Sequence, residues 1–313
     1  MQIISGTLDF QLNNKTVVAL GKFDGVHKGH KLILDKLWEY HNKYYHTAVI
    51  TFDMTPLETL TGTRQELLST QREKEIMMAS AGVDTMVVLP FSKEVAAMEP
   101  ETFIKDILVE KMNMCAIVVG EDCTFGHKAQ GNVALLEKLS EEYGYDVIAF
   151  EKISHNGHII SSTYIRELVK EGRMAEVREM SRQPYFVYGN VGDEGGLSQK
   201  FGLPYCIMRI PEGKVIPPGG LYYSKAMKDD VFYPALSFVS PGRRLIGTYL
   251  FEADRNLVYD NISVGLFDFI REPLPSVDPF HLNEKELRDR FKSEIVAALK
   301  WHKENLYIPE DVC

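Results

Sequence analysis

Thr16-Val17-Val18-Ala19-Leu20-Gly21-Lys22-Phe23-Asp24-Gly25-Val26-His27-Lys28-Gly29-His30 is the segment that decides the fold. Its first five residues form a short, almost unbroken apolar run, as expected of a parallel strand buried on both faces. The next ten carry three glycines and two histidines. Beyond them, Lys31–Tyr45 sets Ile33, Leu34, Leu37, Trp38 and His41 at helical spacing on one face. A strand, a glycine-rich turn and a helix make the first part of a βα unit. The carboxyl end of such a strand is where doubly wound sheets bind ligands.

The same alternation continues downstream. Apolar runs at Thr47–Phe52, Thr85–Leu89, Ala116–Gly120 and Val147–Phe150 predict further buried strands. Helices are expected between them at Thr70–Ser80, at Pro100–Met112 with Pro in the first turn, and at Asn132–Tyr143. This pattern implies right-handed crossovers and an α/β, Rossmann-like doubly wound parallel sheet. Ser162–Arg182 reads as two short helices broken at Gly172. After Pro184 come short segments punctuated by Gly and Pro: Tyr185–Val191, Tyr205–Ile210, Gly220–Ala226, Val231–Val239, Arg244–Glu252 and Asn261–Phe269. Their close spacing predicts a small antiparallel β-barrel, followed by an amphipathic terminal helix over Asn283–Lys303. The expected division is a domain over 1–183 and a barrel domain over 184–313.

Apolar residues at 45% and charged residues at 25% are ordinary for a globular protein. A net charge of −9, with no basic face, argues against a nucleic-acid partner. No apolar run has the length of a membrane span, and the first residues do not read as a signal peptide. Cys115, Cys123, Cys206 and Cys313 have neither disulfide-like nor zinc-like spacing, which points to free thiols in a reducing compartment. The expected location is the cytoplasm. Oligomeric state is not assigned.

The loop carries the chemistry. Gly21 and Gly25 permit unusual backbone angles and close approach of a nucleotide, and Gly29 keeps the helix start unobstructed. Free amides and partial positive charge at a helix N-terminus suit phosphate. His27 and His30 lie three residues apart, so both can address one phosphate chain. As donors they would stabilise charge that builds on an α-phosphate and a leaving pyrophosphate. The plainer alternative is that the histidines only cap a helix; two of them framed by three glycines favour the phosphate role.

His-x-Gly-His in this setting resembles the nucleotidylyltransferase superfamily, and Gly21–His30 as a whole resembles the bacterial FAD synthetase family. Three further segments agree in order: Thr51-Phe52-Asp53-Met54-Thr55-Pro56, Gly120-Glu121-Asp122-Cys123-Thr124-Phe125-Gly126, and Ile160-Ser161-Ser162-Thr163-Tyr164-Ile165-Arg166. The resemblance implies an N-terminal FMN adenylyltransferase module and a C-terminal riboflavin kinase module. It also implies ATP and FMN as substrates, FAD as product and Mg²⁺ as cofactor, with no dedicated protein cage for the metal. His27, His30 and Arg166 become the catalytic candidates. Gly21, Phe23, Asp24, Gly25, Gly29, Asp122, Ser162 and Thr163 become the ATP-binding candidates, and Phe52, Asp53, Thr55, Pro56 and Phe125 the FMN-binding ones. Thr55 stands where the family usually has His.

The second half departs further from that family. Its Gly-Phe-Pro-Thr-Ala-Asn motif is represented by Gly202-Leu203-Pro204-Tyr205-Cys206-Ile207, so Thr and Asn are replaced by Tyr205 and Ile207. Gly247 stands at the position of the kinase's proposed general base, a Glu. Glu252, five residues on, falls on the opposite side of a regular strand. The expectation is a monofunctional FMN adenylyltransferase with a kinase-like barrel that lacks kinase activity. The alternatives are a bifunctional enzyme and a non-catalytic flavin-binding regulatory protein.

Overall fold

The computed structural model describes residues 1–53, 62, 65–181, 183–192, 205–251, 260–271 and 284–305. The chain forms two compact units, residues 1–162 and 163–312. The helices at Ser162–Lys170 (α4) and Met174–Met180 (α5) therefore group mostly with the barrel by packing, because α5 lies against the barrel strands at Tyr185–Gly192 and Asn261–Arg271.

The first unit is a six-stranded, all-parallel sheet. Its strands are β1 (Gln2–Ser5), β2 (Thr16–Leu20), β3 (His46–Phe52), β4 (Thr85–Leu89), β5 (Met114–Gly120) and β6 (Asp146–Phe150). Their order is β1-β4-β3-β2-β5-β6, and β7 (Ser154–His155) and β8 (His158–Ile159) pair separately as a short antiparallel hairpin. Every residue of β2 and β4 is buried, as two covered faces require. Val18 and Leu20 pack into a layer built by Phe103, Ile104, Ile107, Leu108 and Leu136. Val17 and Ala19 are equally buried on the other face, and α1 (Lys28–His41) lies across β2, β3 and β5. Helix α3 (Val133–Tyr143) adds Leu136 and Leu139 to the layer that covers Val18 and Leu20, and α2 (Gln71–Ser80) precedes β4 in the chain.

Three expectations change here. β1 is an extra edge strand. It was not expected because Gln2–Ser5 is largely exposed and lacks an apolar run. Helix α1 starts at Lys28 instead of Lys31, so the second histidine lies inside its first turn, and it ends at His41. Trp38 is 48% exposed and not part of the buried stripe, stacking on His41 with centroids 5.0 Å apart. The helix at Pro100–Thr102 continues into a wider π-wound stretch at Phe103–Lys111, with Met112 N–H donating five residues back to Ile107.

In the second unit, β9 (Tyr185–Gly192), β10 (Tyr205–Arg209), β11 (Gly220–Lys228), β12 (Val231–Ser240), β13 (Leu245–Leu250) and β14 (Asn261–Arg271) close an antiparallel barrel in the order β10-β13-β12-β11-β14-β9. A buried hydroxyl chain bridges three strands: Ser237 Oγ donates to Ser224 Oγ at 2.7 Å and lies 2.9 Å from Thr248 Oγ1. The terminal helix α6 (Glu284–Asn305) supplies Ala298 to a cluster of Ile207, Leu221, Leu236, Phe238, Leu245 and Phe251. Glu252 and the Gly195–Pro204 segment lie outside the described residues.

Candidate active site

The sheet order reverses at β2, which has β3 on one side and β5 on the other. Loops leaving the carboxyl ends of β2 and β5 diverge there and open the crevice typical of ligand sites in such sheets. The β2 loop is Gly21–His27; the β5 loop carries Asp122 and Phe125.

His27 is the N-cap of α1, with extended backbone angles, and its Nδ1 accepts from the His30 amide at 3.4 Å. The capping alternative and the phosphate role are thus compatible: an Nδ1 that accepts places the ring proton on Nε2 and leaves that nitrogen as the donor. The two imidazoles stack, with centroids 3.8 Å apart and planes inclined by 20°. Burial pulls the His27 pKa down to about 4, against a smaller upward pull from the Asp122 carboxylate. Burial also holds His30 well below the ordinary histidine range, assisted by the neighbouring His27 and Lys74 charges. Both rings are neutral at pH 7. Nδ1 of His30 is buried without a hydrogen-bond partner among the described residues.

Of the two glycines expected at unusual backbone angles, Gly25 takes a positive φ and Gly21 does not. Gly25 has φ +64°, and a Cβ there would lie 2.6 Å from Leu68 Cδ1. A Cβ on Gly29 would lie 3.1 Å from His27 Cε1, so the missing side chain leaves the imidazole its place. Phe23 sits lower than expected. It is fully buried at φ 49°, packs under Gly21, and meets the His30 ring at 5.0 Å, forming a floor for that imidazole instead of a surface for ligand. Asp24 is also buried. Its Oδ1 accepts from Ser69 N–H at 2.9 Å and its carbonyl accepts from Ser162 Oγ at 2.7 Å.

Asp122 is exposed at the β5 end and pairs with Lys152 at 3.1 Å. Asp53 Oδ1 accepts from Phe91 N–H, and Phe52 meets Phe91 edge-on at 5.1 Å. Phe125 is a core residue, 5% exposed and packed on Phe103, which removes it from the surface available to a flavin. Thr55 and Pro56 lie outside the described residues. Thr163 and Arg166 follow Ser162 on α4 and belong to the second unit; Arg166 is half-buried. Two residues that the sequence reading did not single out belong with the loop: Ser69 and Lys74, at the start of α2. Thr70-x-x-Glu73 between them has the pattern of a capping box, which marks the helix start in the sequence but not its distant partner in the loop.

Among the described residues no helix is long and apolar enough to cross a membrane. Residues 9–164 match the model of the FAD synthetase family. The chain is 31% identical over 271 residues to a bifunctional riboflavin kinase/FMN adenylyltransferase of Listeria monocytogenes, covering 85% of this chain and 82% of the relative. It is 29% identical over 318 aligned positions to the protein of that name in Buchnera aphidicola from Schizaphis graminum, covering 96% and 99% of the two chains. A solved structure described as a macrolide-efflux protein from Streptococcus pneumoniae shares the fold, with a TM-score of 0.76 at 23% identity over 96% of this chain and 98% of that one. With its histidine loop at the sheet's switch point and these relatives along nearly its whole length, the chain belongs to the bacterial FAD synthetase family.

Proposed function

We propose that the chain is an FMN adenylyltransferase that makes FAD and pyrophosphate from FMN and ATP, and that its barrel does not phosphorylate riboflavin. The observation that carries the first part is the stacked His27–His30 pair at the amino end of α1, at the β2 switch point. Amide and imidazole N–H groups there favour bound phosphate and the charge that develops on it. An oxygen of the FMN phosphate attacks the α-phosphorus of ATP in line. The new P–O bond forms as the α–β P–O bond breaks, and pyrophosphate departs with its electron pair. The FMN phosphate is already ionised near pH 7, so the step needs no strong base. Nitrogen donors dominate the loop and suit phosphate oxygens better than a hard cation. Mg²⁺ would come with the nucleotide phosphates, with no group of described His, Cys, Asp or Glu residues arranged to hold it, and would supply charge neutralisation there. Thr163 and Arg166 are assigned to the same reaction because Ile160–Arg166 resembles the family motif.

The barrel's loss of kinase chemistry is supported by the β10-β13-β12 ladder. Gly247 lies between Ile207 and Phe238 in register, and both neighbours belong to the apolar cluster that includes Ala298 of α6. The sequence resemblance implies that these two positions, a glycine and a buried aliphatic chain here, correspond to the family's proposed base and to one of its two oxygen-bearing motif residues. A positioned base is typically worth ~10²–10⁴-fold in rate. The second reading, a bifunctional enzyme, is favoured by the names of the relatives. The protein's expected location is the cytoplasm, with small molecules as its partners.

His30→Ala tests the loop's role. FAD formation from FMN and ATP should fall by about 10²-fold or more, as when a charge-stabilising donor is removed, while the dissociation constant for ATP changes by less than about tenfold. Unchanged turnover would contradict the assignment.

A further inference from the structure

The Gly21–His30 loop is not held by its own residues alone. Two hydrogen bonds cross between it and the segment entering α2. Gly25 N–H donates to Ser69 Oγ at 3.1 Å, and Ser69 N–H donates to Asp24 Oδ1 at 2.9 Å. The exchange is reciprocal: each segment gives one backbone N–H and receives one side-chain acceptor. Ser69 is 3% exposed, so both bonds are shielded from competing water.

The neighbouring contacts close on the same point. Leu68 fills the space where a side chain at residue 25 would be. The start of α2 is itself fixed by a complete capping box: Glu73 N–H donates to Thr70 Oγ1 at 3.2 Å, and Thr70 N–H donates to Glu73 Oε2 at 2.7 Å. One turn into α2, Lys74 is 7% exposed. Burial depresses its pKa, while the Asp24 carboxylate opposes that shift and the nearby Lys22 adds to it.

The loop needs such a brace. Phe23 is held at φ 49°, a conformation that a non-glycine residue keeps only where the surroundings enforce it. The next residue, Asp24, is the one gripped by Ser69. Three residues further on stands His27, the cap whose ring carries the stack with His30.

We propose that Ser69 is a positioning residue for adenylyl transfer, gripping Asp24 and Gly25 so that the Gly21–His30 loop presents its two imidazoles to the phosphate chain. Ser69 acts on the reaction through Asp24 and Gly25, by one bond that it donates and one that it accepts. The inference rests on the adenylyltransferase reading above.

The test is steady-state kinetics of FAD formation on the full chain, with ATP affinity measured separately and folding checked by thermal melting. Ser69→Ala removes the acceptor of Gly25 N–H and should lower kcat about tenfold, with the ATP dissociation constant moved less than threefold. Ser69→Thr keeps the hydroxyl and should recover most of that loss. A Ser69→Ala loss found wholly in ATP affinity or in melting temperature, or a Ser69→Thr variant as impaired as Ser69→Ala, would overturn the positioning role. Normal kcat in Ser69→Ala would do the same. If Ser69→Ala does not fold, Ser69→Cys replaces it: the weaker sulfur acceptor should lower kcat several-fold at unchanged ATP affinity, and normal kcat there would overturn the role. A wild-type protein that makes no FAD in the same assay would instead sink the reading on which the inference rests.

Discussion

At the residue scale, His27 has two tasks that depend on one protonation state. Its Nδ1 accepts the His30 amide, so a proton on that nitrogen would remove the cap. Its pKa falls from 6.5 to about 4 on folding, because burial penalises the charged ring. Above pH 6.5 the ring is neutral in both states and contributes no pH dependence. As pH falls from 6.5 towards 4, the unfolded chain takes up a proton that the folded chain refuses, and stability is lost. The urea midpoint of the wild type should therefore drop between pH 7 and pH 5 by more than that of His27→Asn, which keeps a capping side chain and removes the titration. Equal drops would show that the imidazole is not shielded as described. Gly25 and Gly29 were legible in the sequence because their reason is local: φ at Gly25, and clearance for the His27 ring at Gly29; Gly21, read in the same way as Gly25, takes no positive φ. The task of Asp24 was not. Its partners, Ser69 and Ser162, are distant in sequence, and a carboxylate in a phosphate loop reads equally well as a ligand group.

At the element scale, helix ends follow their caps. Asn132 Oδ1 accepts from Leu135 N–H at 3.0 Å, and Gly144 ends α3 in the left-handed region at φ 71°. Replacing Asn132 with Ala should cost about 1 kcal/mol of unfolding free energy, measurable by chemical denaturation. The buried strands were readable because each is a short apolar run between turn residues. The exposed β1 offered no such run. The hairpin Ser154–His155 with His158–Ile159 turns at Asn156-Gly157, both at positive φ. Asn-Gly is the usual signature of such a turn, but its strands are two residues long and too polar to stand out. The wide winding of Phe103–Lys111 left no mark on composition, since its buried residues still recur at near-helical spacing. The sequence alone starts α1 three residues late, because the glycine and histidine of its first turn read as loop. That displacement matters functionally: it brings His30 into the helix, where its amide can be capped by His27.

At the scale of the whole molecule, one chain carries two architectures with different relations to chemistry. In the first unit, the switch point of a parallel sheet, a helix amino end and a paired imidazole coincide. In the second, the barrel closes completely, and the face that includes Ile207, Gly247 and Phe238 is covered by apolar packing with α6. Regular strand spacing made the barrel foreseeable. The apolar filling around Gly247 was not, because it depends on which residues face one another across three strands. The most direct test supplies the purified chain with ATP and Mg²⁺ and either FMN or riboflavin, and follows flavin products and pyrophosphate through a single turnover. FMN should yield FAD and pyrophosphate in equal amounts, and riboflavin should yield neither FMN nor FAD. Failure to form FAD from FMN would contradict adenylyl transfer at the histidine loop, and conversion of riboflavin to FMN would contradict the loss of kinase chemistry in the barrel.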